Sequence, residues 1–412
     1  MKKPSLYSFG LETVNTRFLL IGIIFVAFNL RPAITSVGPL LTFIRDDIGI
    51  SNTLAGFITT LPLIAFAILS PIAPKIAHKI GKERTVFIAL LILGLGIFIR
   101  STEMIFLLFF GTAFIGVGIA LCNVLLPGIV KENFPKKVGL MTGFYTVAMA
   151  LWAGIAPGIS VPLSENLKLG WQKSLTVWLI LVIIAIVVWL PQLKRNSKST
   201  KATVNILRPK SSLLQSPIAW QVSIFMGLQS CIYFCSITWL PDMLYSHGVS
   251  VSTAGWMVSL LQFSGLPANF LVPVLADKLP NQKGLSILIG AFCMTGLSGL
   301  LLSGNLLVLT LCIIMLGSST GAAISLALTL IGLRAANAEQ AANLSGMSQS
   351  IGYLLAAIGP FSLGFLFDLY HTWTLPIILL IILTVIMTIA GVGAGRSQYV
   401  SQEPIRSSQL NY

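Results

Sequence analysis

The sequence predicts an all-α polytopic membrane protein, with twelve spanning helices arranged as two six-helix bundles. Three observations lead there. Of 412 residues, 55% are hydrophobic and 9% charged, and the mean hydropathy is +0.90. A soluble domain carries about 25% charged residues, so this chain cannot clothe a water-facing surface. Breaking the chain at charges and at Gly, Pro and Asn clusters leaves twelve apolar runs, most near the roughly 20 residues that cross a bilayer. The charges are also lopsided, 26 Lys and Arg against 12 Asp and Glu for a net +14. A soluble enzyme, a disordered chain and a disulfide-stapled secreted domain are excluded, and the basic excess is to be read against a bilayer rather than nucleic acid.

In chain order the runs lie near 17–42, 52–77, 85–100, 104–130, 138–163, 172–193, 218–241, 252–276, 284–302, 306–333, 342–367 and 373–395. The first continues past Pro32 without a small-residue cleavage site, too long for a signal-peptide core, and reads as a retained span. The longest polar stretch, 194–216, divides the spans six and six. That gives bundles over 1–193 and 218–412, joined by a basic linker over 194–217. With the N-terminus inside, the inner segments hold 21 Lys and Arg, and the outer ones four: Arg45, Arg100, Lys168 and Lys173. The positive-inside rule then predicts a multi-pass protein of the cell membrane with both termini cytoplasmic. All five cysteines fall within spans, with neither a disulfide framework nor zinc spacing, and Cys231 and Cys235 read as packing residues.

A weak internal repeat supports two halves. A shift of 199 residues pairs Ser51 with Ser250, Ala55 with Ala254, Gly56 with Gly255 and Pro74 with Pro273. A shift of 203 pairs Gly143 with Gly346, Ala153 with Ala356 and Pro157 with Pro360. Six-plus-six parallel repeats around a basic central loop resemble the major facilitator architecture. The loop after the second span, Pro74 to Arg84, resembles that superfamily's gating motif, with His78 where the acid is expected. The resemblance implies gating roles for Lys79 and Gly81, and for Asp277 and Lys278 in the second-half copy, which keeps the acid. Gly154-Ile155-Ala156-Pro157-Gly158 resembles the glycine–proline motif of exporters, but small residues and Pro in a spanning helix read first as packing.

One cation remains. Arg31 lies halfway along the first span, where a guanidinium costs at least ~2.5–3.5 kcal/mol unless paired or hydrated. All twelve acids lie in loops or at helix ends, as do the three histidines, so no partner is evident and proton coupling through a buried carboxylate is not expected. Arg31, Thr35 and Gly38 should share a helix face, and Pro32 should free the Phe28 carbonyl. Arg31 therefore reads as the counter-charge of an anionic or electron-rich planar substrate, whose two coplanar oxygens its planar fork matches. The alternative is a structural arginine on backbone carbonyls or in a vestibule. Polar neutral residues that could complete the site are Asn29 and Thr35 beside Arg31, Asn123, Tyr145, Gln229 and Tyr233, Gln262, Gln349 and Tyr353. Trp239 reads as part of an interfacial aromatic belt.

The stretch Asn29-Leu30-Arg31-Pro32-Ala33-Ile34-Thr35-Ser36-Val37-Gly38-Pro39 resembles the first-helix signature of the cyanate / 2-nitroimidazole transporter family. So do Asn123 to Pro127, Gly227 to Ser230 with Trp239 to Pro241, and Leu326 to Arg334. The resemblance spans the chain and implies alternating-access transport of a small anion or nitro compound; no cofactor or metal is expected, and the chain reads as a monomer. Two other functions compete: an exporter of amphipathic or cationic drugs, which Arg31 disfavours, and a sensor without flux, for which the tails are short. An enzyme would need a nucleophile–base or metal constellation, and none is evident.

Overall fold

A computed structural model describes residues 18–102, 104–134, 138–194, 211–302, 304–336 and 338–400. The expected linker, 194–217, falls largely outside the described residues, apart from a short helix at Ser211–Leu214. Helices α1 (Phe18–Ile48), α2 (Asn52–Leu69), α3 (Lys82–Arg100), α4 (Ile105–Asn133), α5 (Val138–Ser164) and α6 (Gly170–Leu193) form the first bundle. The second comprises α7 (Pro217–Ser246), α8 (Val251–Lys278), α9 (Lys283–Leu302), α10 (Leu306–Leu333), α11 (Ala338–Tyr370) and α12 (Thr374–Ala394). Eleven of these carry an apolar stretch long enough to cross a membrane. The other, α3, has Lys82, Glu83 and Arg84 at one end and Arg100 at the other.

Side chains explain where helices start. Ser51 and Ser250, paired by the repeat, cap α2 and α8 by accepting from Leu54 N at 3.2 Å and Thr253 N at 3.2 Å, which satisfies amides that a helix start leaves open. Just outside the stretch that the repeat aligned, Gly49 and Gly248 also correspond, and both turn with positive φ, 72° and 81°. Only glycine adopts that conformation without strain. Large apolar side chains such as Phe98, Phe106, Ile180, Leu288, Leu307 and Ile389 stay exposed around the outside. On a water-soluble protein so extensive an apolar girdle would aggregate; around two bundles of spanning helices it is the lipid-facing belt.

The halves meet along two related seams, α2 against α11 and α5 against α8. A Cβ at Gly56 would run into the Pro360 carbonyl of α11, and one at Gly255 would sit 2.9 Å from the Pro157 carbonyl of α5. The identities that suggested a duplication, Gly56/Gly255 and Pro157/Pro360, are thus the residues that make the two pseudo-symmetric contacts. Within the halves, Gly118 lets α4 approach Ala89 and Leu93 of α3, and Gly296 lets α9 approach Cys312 of α10. This is the small-residue packing that membrane helices use in place of a hydrophobic driving force. Cys231 and Cys235 are buried against Gly359. Trp239, expected in an interfacial belt, is instead fully buried, donating to the Pro360 carbonyl at 2.9 Å and packing on Trp373. Its indole N–H is satisfied inside the bundle by that carbonyl rather than at the interface.

Candidate functional site

The site grows from a break in α1. Pro32 has no N–H, and the amides of Asn29 and Leu30 already turn to carbonyls three residues back, Val26 at 3.0 Å and Ala27 at 3.2 Å. A new helical turn starts at Pro32, with Arg31 as its cap and the Arg31 carbonyl accepting from Ile34 and Thr35. Val37 then donates to Ile34, and Gly38–Leu40 tightens into a 3-10 turn. The Ala33 carbonyl, which has lost its usual partner, accepts from Arg100 Nη1 of α3 at 2.6 Å. Arg31 and Thr35 keep the one-turn spacing expected of a shared face, the Thr35 amide donating to the Arg31 carbonyl at 3.0 Å, and the 3-10 turn follows at Gly38. Thr35 is buried with its hydroxyl on the Arg31 carbonyl, while Gly38 abuts the Ile237 and Thr238 carbonyls of α7.

The guanidinium of Arg31 is half-buried and lies 5.8 Å from the centre of the Tyr233 ring on α7. The Tyr233 oxygen accepts from Gln262 Nε2 of α8 at 2.9 Å. Tyr353 of α11 feels the charge of Arg31 and meets Phe66 of α2 edge-on at 5.3 Å. Five helices from both bundles thus converge near the middle of the spans. Among the described residues, Arg31 has neither a carboxylate nor a hydrogen-bond acceptor. A cation over a ring gains ~0.5–2 kcal/mol, and no described carboxylate neutralises the charge. The site stays electrostatically incomplete toward an anion.

Other expected residues lie elsewhere in the packing. The Asn29 amide donates to the Phe25 carbonyl at 2.8 Å and the Leu181 carbonyl of α6 at 3.2 Å. Gln229 is buried and bonds along its own helix, to Ser230 Oγ at 2.7 Å. Gln349 donates to Ser345 Oγ at 2.9 Å, also within its helix. Tyr145 is buried in α5, and Asn123 is half-buried in α4. The structure therefore brings together Arg31, Tyr233, Gln262 and Tyr353, and adds Phe66. Gln262 was visible as a polar residue within an apolar run, whereas Phe66 gave no signal among so many phenylalanines.

Above this site, at the end remote from the basic loops, the halves are tied shut. Arg45 of α1, half-buried, pairs with the buried Asp242 of α7 at 2.6 Å. Arg45 also donates to the Asn52 side-chain oxygen. Asn52 Nδ2 in turn donates to Asp368 of α11 at 2.7 Å, and the Asn52 and Thr53 amides reach the same carboxylate at 3.0 and 2.7 Å. Thr60 donates to the Ala357 carbonyl at 2.7 Å, and Thr238 meets Thr59 at 3.0 Å. These cross-half contacts lie from Phe66 and Tyr353 toward the far end. Toward the basic end, a Cβ added at Gly128, Gly143, Gly332 or Gly346 meets nothing within 4 Å. Lys79, Asp277 and Lys278 are exposed there, and Gly81, with φ 94°, ends the short helix Ala73–Ile80. Since the far end is closed, the half-exposure of Arg31 comes from the basic end.

Two pseudo-symmetric bundles around a polar midplane site, closed at one end, define a membrane transporter of the two-bundle class. The chain belongs to the Major Facilitator Superfamily, whose family model matches residues 19–360 and 243–404, and within it to the cyanate / 2-nitroimidazole transporter family. It is 40% identical to the 2-nitroimidazole transporter of Escherichia coli, over 95% of this chain and 99% of that one. It is 50% identical to the uncharacterized transporter YycB of Bacillus subtilis, with 95% and 96% covered, and 26% identical to the E. coli cyanate transport protein CynX, with 84% and 89% covered. In fold it matches a bacterial homologue of the lysosomal transporter Spinster solved inward-facing and unoccupied. That match has TM-score 0.73 at 14% identity, covering 93% of this chain and 97% of that one.

Proposed function

We propose that this transporter carries a small anion or nitro compound, cyanate-like or 2-nitroimidazole-like, bound at Arg31 between the two bundles. The observation that carries this reading is Arg31 itself: a cation amid the spans, near an aromatic ring, with no carboxylate partner among the described residues. A ligand bearing negative charge, or two coplanar oxygens, supplies what the cation-π contact leaves uncompensated. The described conformation is open toward the basic end, which the positive-inside rule assigns to the cytoplasm. Substrate reaching Arg31 draws Tyr353 and Tyr233 of the second bundle toward α1. The halves then rock about the midplane, and opening the far end requires the Arg45–Asp242 and Asn52–Asp368 contacts to part.

Binding tests this directly. Thermal unfolding of the purified protein should shift upward with 2-nitroimidazole or cyanate, since a ligand bound only by the folded state stabilises it by mass action. Arg31→Ala should remove the shift while leaving the unliganded transition in place. Stabilisation by amphipathic cations alone would instead favour a drug exporter.

A further inference from the structure

We infer that Gln262 fixes the hydrogen-bond polarity of the site, making it a pocket for a ligand edge built of acceptors only. This rests on the reading of Arg31 as a substrate residue and extends it to the kind of group that is recognised. A phenol can donate or accept. Here Gln262 Nε2 donates to the Tyr233 oxygen at 2.9 Å, so the oxygen is the acceptor and the phenolic proton stays available. No described residue receives that proton. The neighbouring guanidinium, 5.8 Å from the ring centre, carries five donors and no acceptor. The guanidinium and the phenol are therefore both donors, and neither donates to a described residue.

A planar group with two oxygens, nitro or carboxylate, can meet Arg31 with one and Tyr233 with the other. An amide of the same shape places an N–H against these donors and leaves them unpaired. A site built around hydrogen bonds rejects such mismatches strongly. Gln262 does not need to touch the ligand. It acts through Tyr233 as a positioning residue, and replacing it with an acceptor reverses the phenol. With Gln262→Glu, Tyr233 donates to the new carboxylate and has no proton left for the ligand.

The test is a double-mutant cycle read by calorimetric titration of 2-nitroimidazole into the purified full-length protein. Gln262→Glu should weaken binding about thirtyfold on its own, and by under about fivefold in the Tyr233→Phe background, where only the added charge acts. Gln262→Leu, which leaves the phenol free, should weaken it by no more than about threefold. Equal losses from Gln262→Glu in both backgrounds overturn the assignment. A ligand-side comparison needs only the wild-type protein: 2-nitroimidazole should bind at least about tenfold more tightly than imidazole-2-carboxamide, and equal affinity overturns the assignment. Undiminished binding by Arg31→Ala would sink the underlying site. Loss in Arg31→Ala together with an additive cycle would sink the polarity alone.

Discussion

A guanidinium halfway across a bilayer has to be compensated, and at Arg31 the protein supplies one aromatic face and an opening to the basic end. Arg100 shows the contrast. It is fully buried at the end of α3 and donates to the Ala33 carbonyl that the α1 break exposes, a structural use of a cation. The two arginines thus have different tasks, one holding the broken helix and one left facing the cavity. Position alone did not reveal this, because Arg100 reads as a loop residue in the sequence. The fork geometry of Arg31 matters as well as its charge. Arg31→Lys keeps the charge but replaces a planar bidentate donor with a point charge, and should weaken 2-nitroimidazole binding about tenfold in a titration, the scale of one charge-assisted hydrogen bond. Wild-type affinity in Arg31→Lys would reduce the residue's role to long-range attraction.

Among the elements, α1 carries the most information and was the hardest to read. Its sequence signature located Arg31 and Pro32, and Thr35 does lie one turn from Arg31, yet Thr35 and Gly38 are both taken up in packing, the first on the Arg31 carbonyl and the second against α7. The end of α1 was misread for a physical reason. Arg45-Asp46-Asp47 looks like a loop, yet α1 continues to Ile48, and Arg45 is stabilised inside the protein by Asp242 of α7. Such long-range pairing leaves no trace in local pattern. The repeat, by contrast, was legible, because glycine and proline are irreplaceable where backbones touch. Gly56→Val should collide with the Pro360 carbonyl and shift the population toward a parted far end, an effect that accessibility of the α2–α11 seam to a membrane-impermeant thiol reagent would reveal. No change in labelling would show that the seam can yield without opening.

The far-end tie crosses four helices, α1, α2, α7 and α11, and gives a prediction at the same scale. Removing Arg45 leaves the buried Asp242 carboxylate without its counter-charge, a cost that the open state relieves by hydrating the group. Arg45→Ala combined with Asp368→Asn should therefore widen the distance between spin labels at Asn166 and Thr372, exposed at the far ends of the two halves, in a sizeable fraction of molecules. Exchanging the charges, Arg45→Asp with Asp242→Arg, should restore a narrow distribution. Distances identical in all three proteins would mean that packing alone closes this end.

For the whole molecule, composition and the twelve runs were enough for the fold, because a bilayer allows few solutions to the backbone hydrogen-bonding problem. Net charge was informative in a different way: nearly all of the +14 lies in loops and reads as orientation. The site was only partly legible. Arg31, Tyr233 and Tyr353 were expected and do converge, while Asn29, Gln229 and Gln349 bond locally, since a polar residue in a membrane helix finds the nearest partner whatever its purpose. The account stands on a single charge serving as the substrate's counter-charge. Its most direct test is uptake of labelled 2-nitroimidazole, and of cyanate, into proteoliposomes holding equal amounts of folded wild-type or Arg31→Ala protein. The account predicts saturable uptake of one or both by the wild type and at least a tenfold loss in Arg31→Ala; undiminished uptake by Arg31→Ala would contradict it.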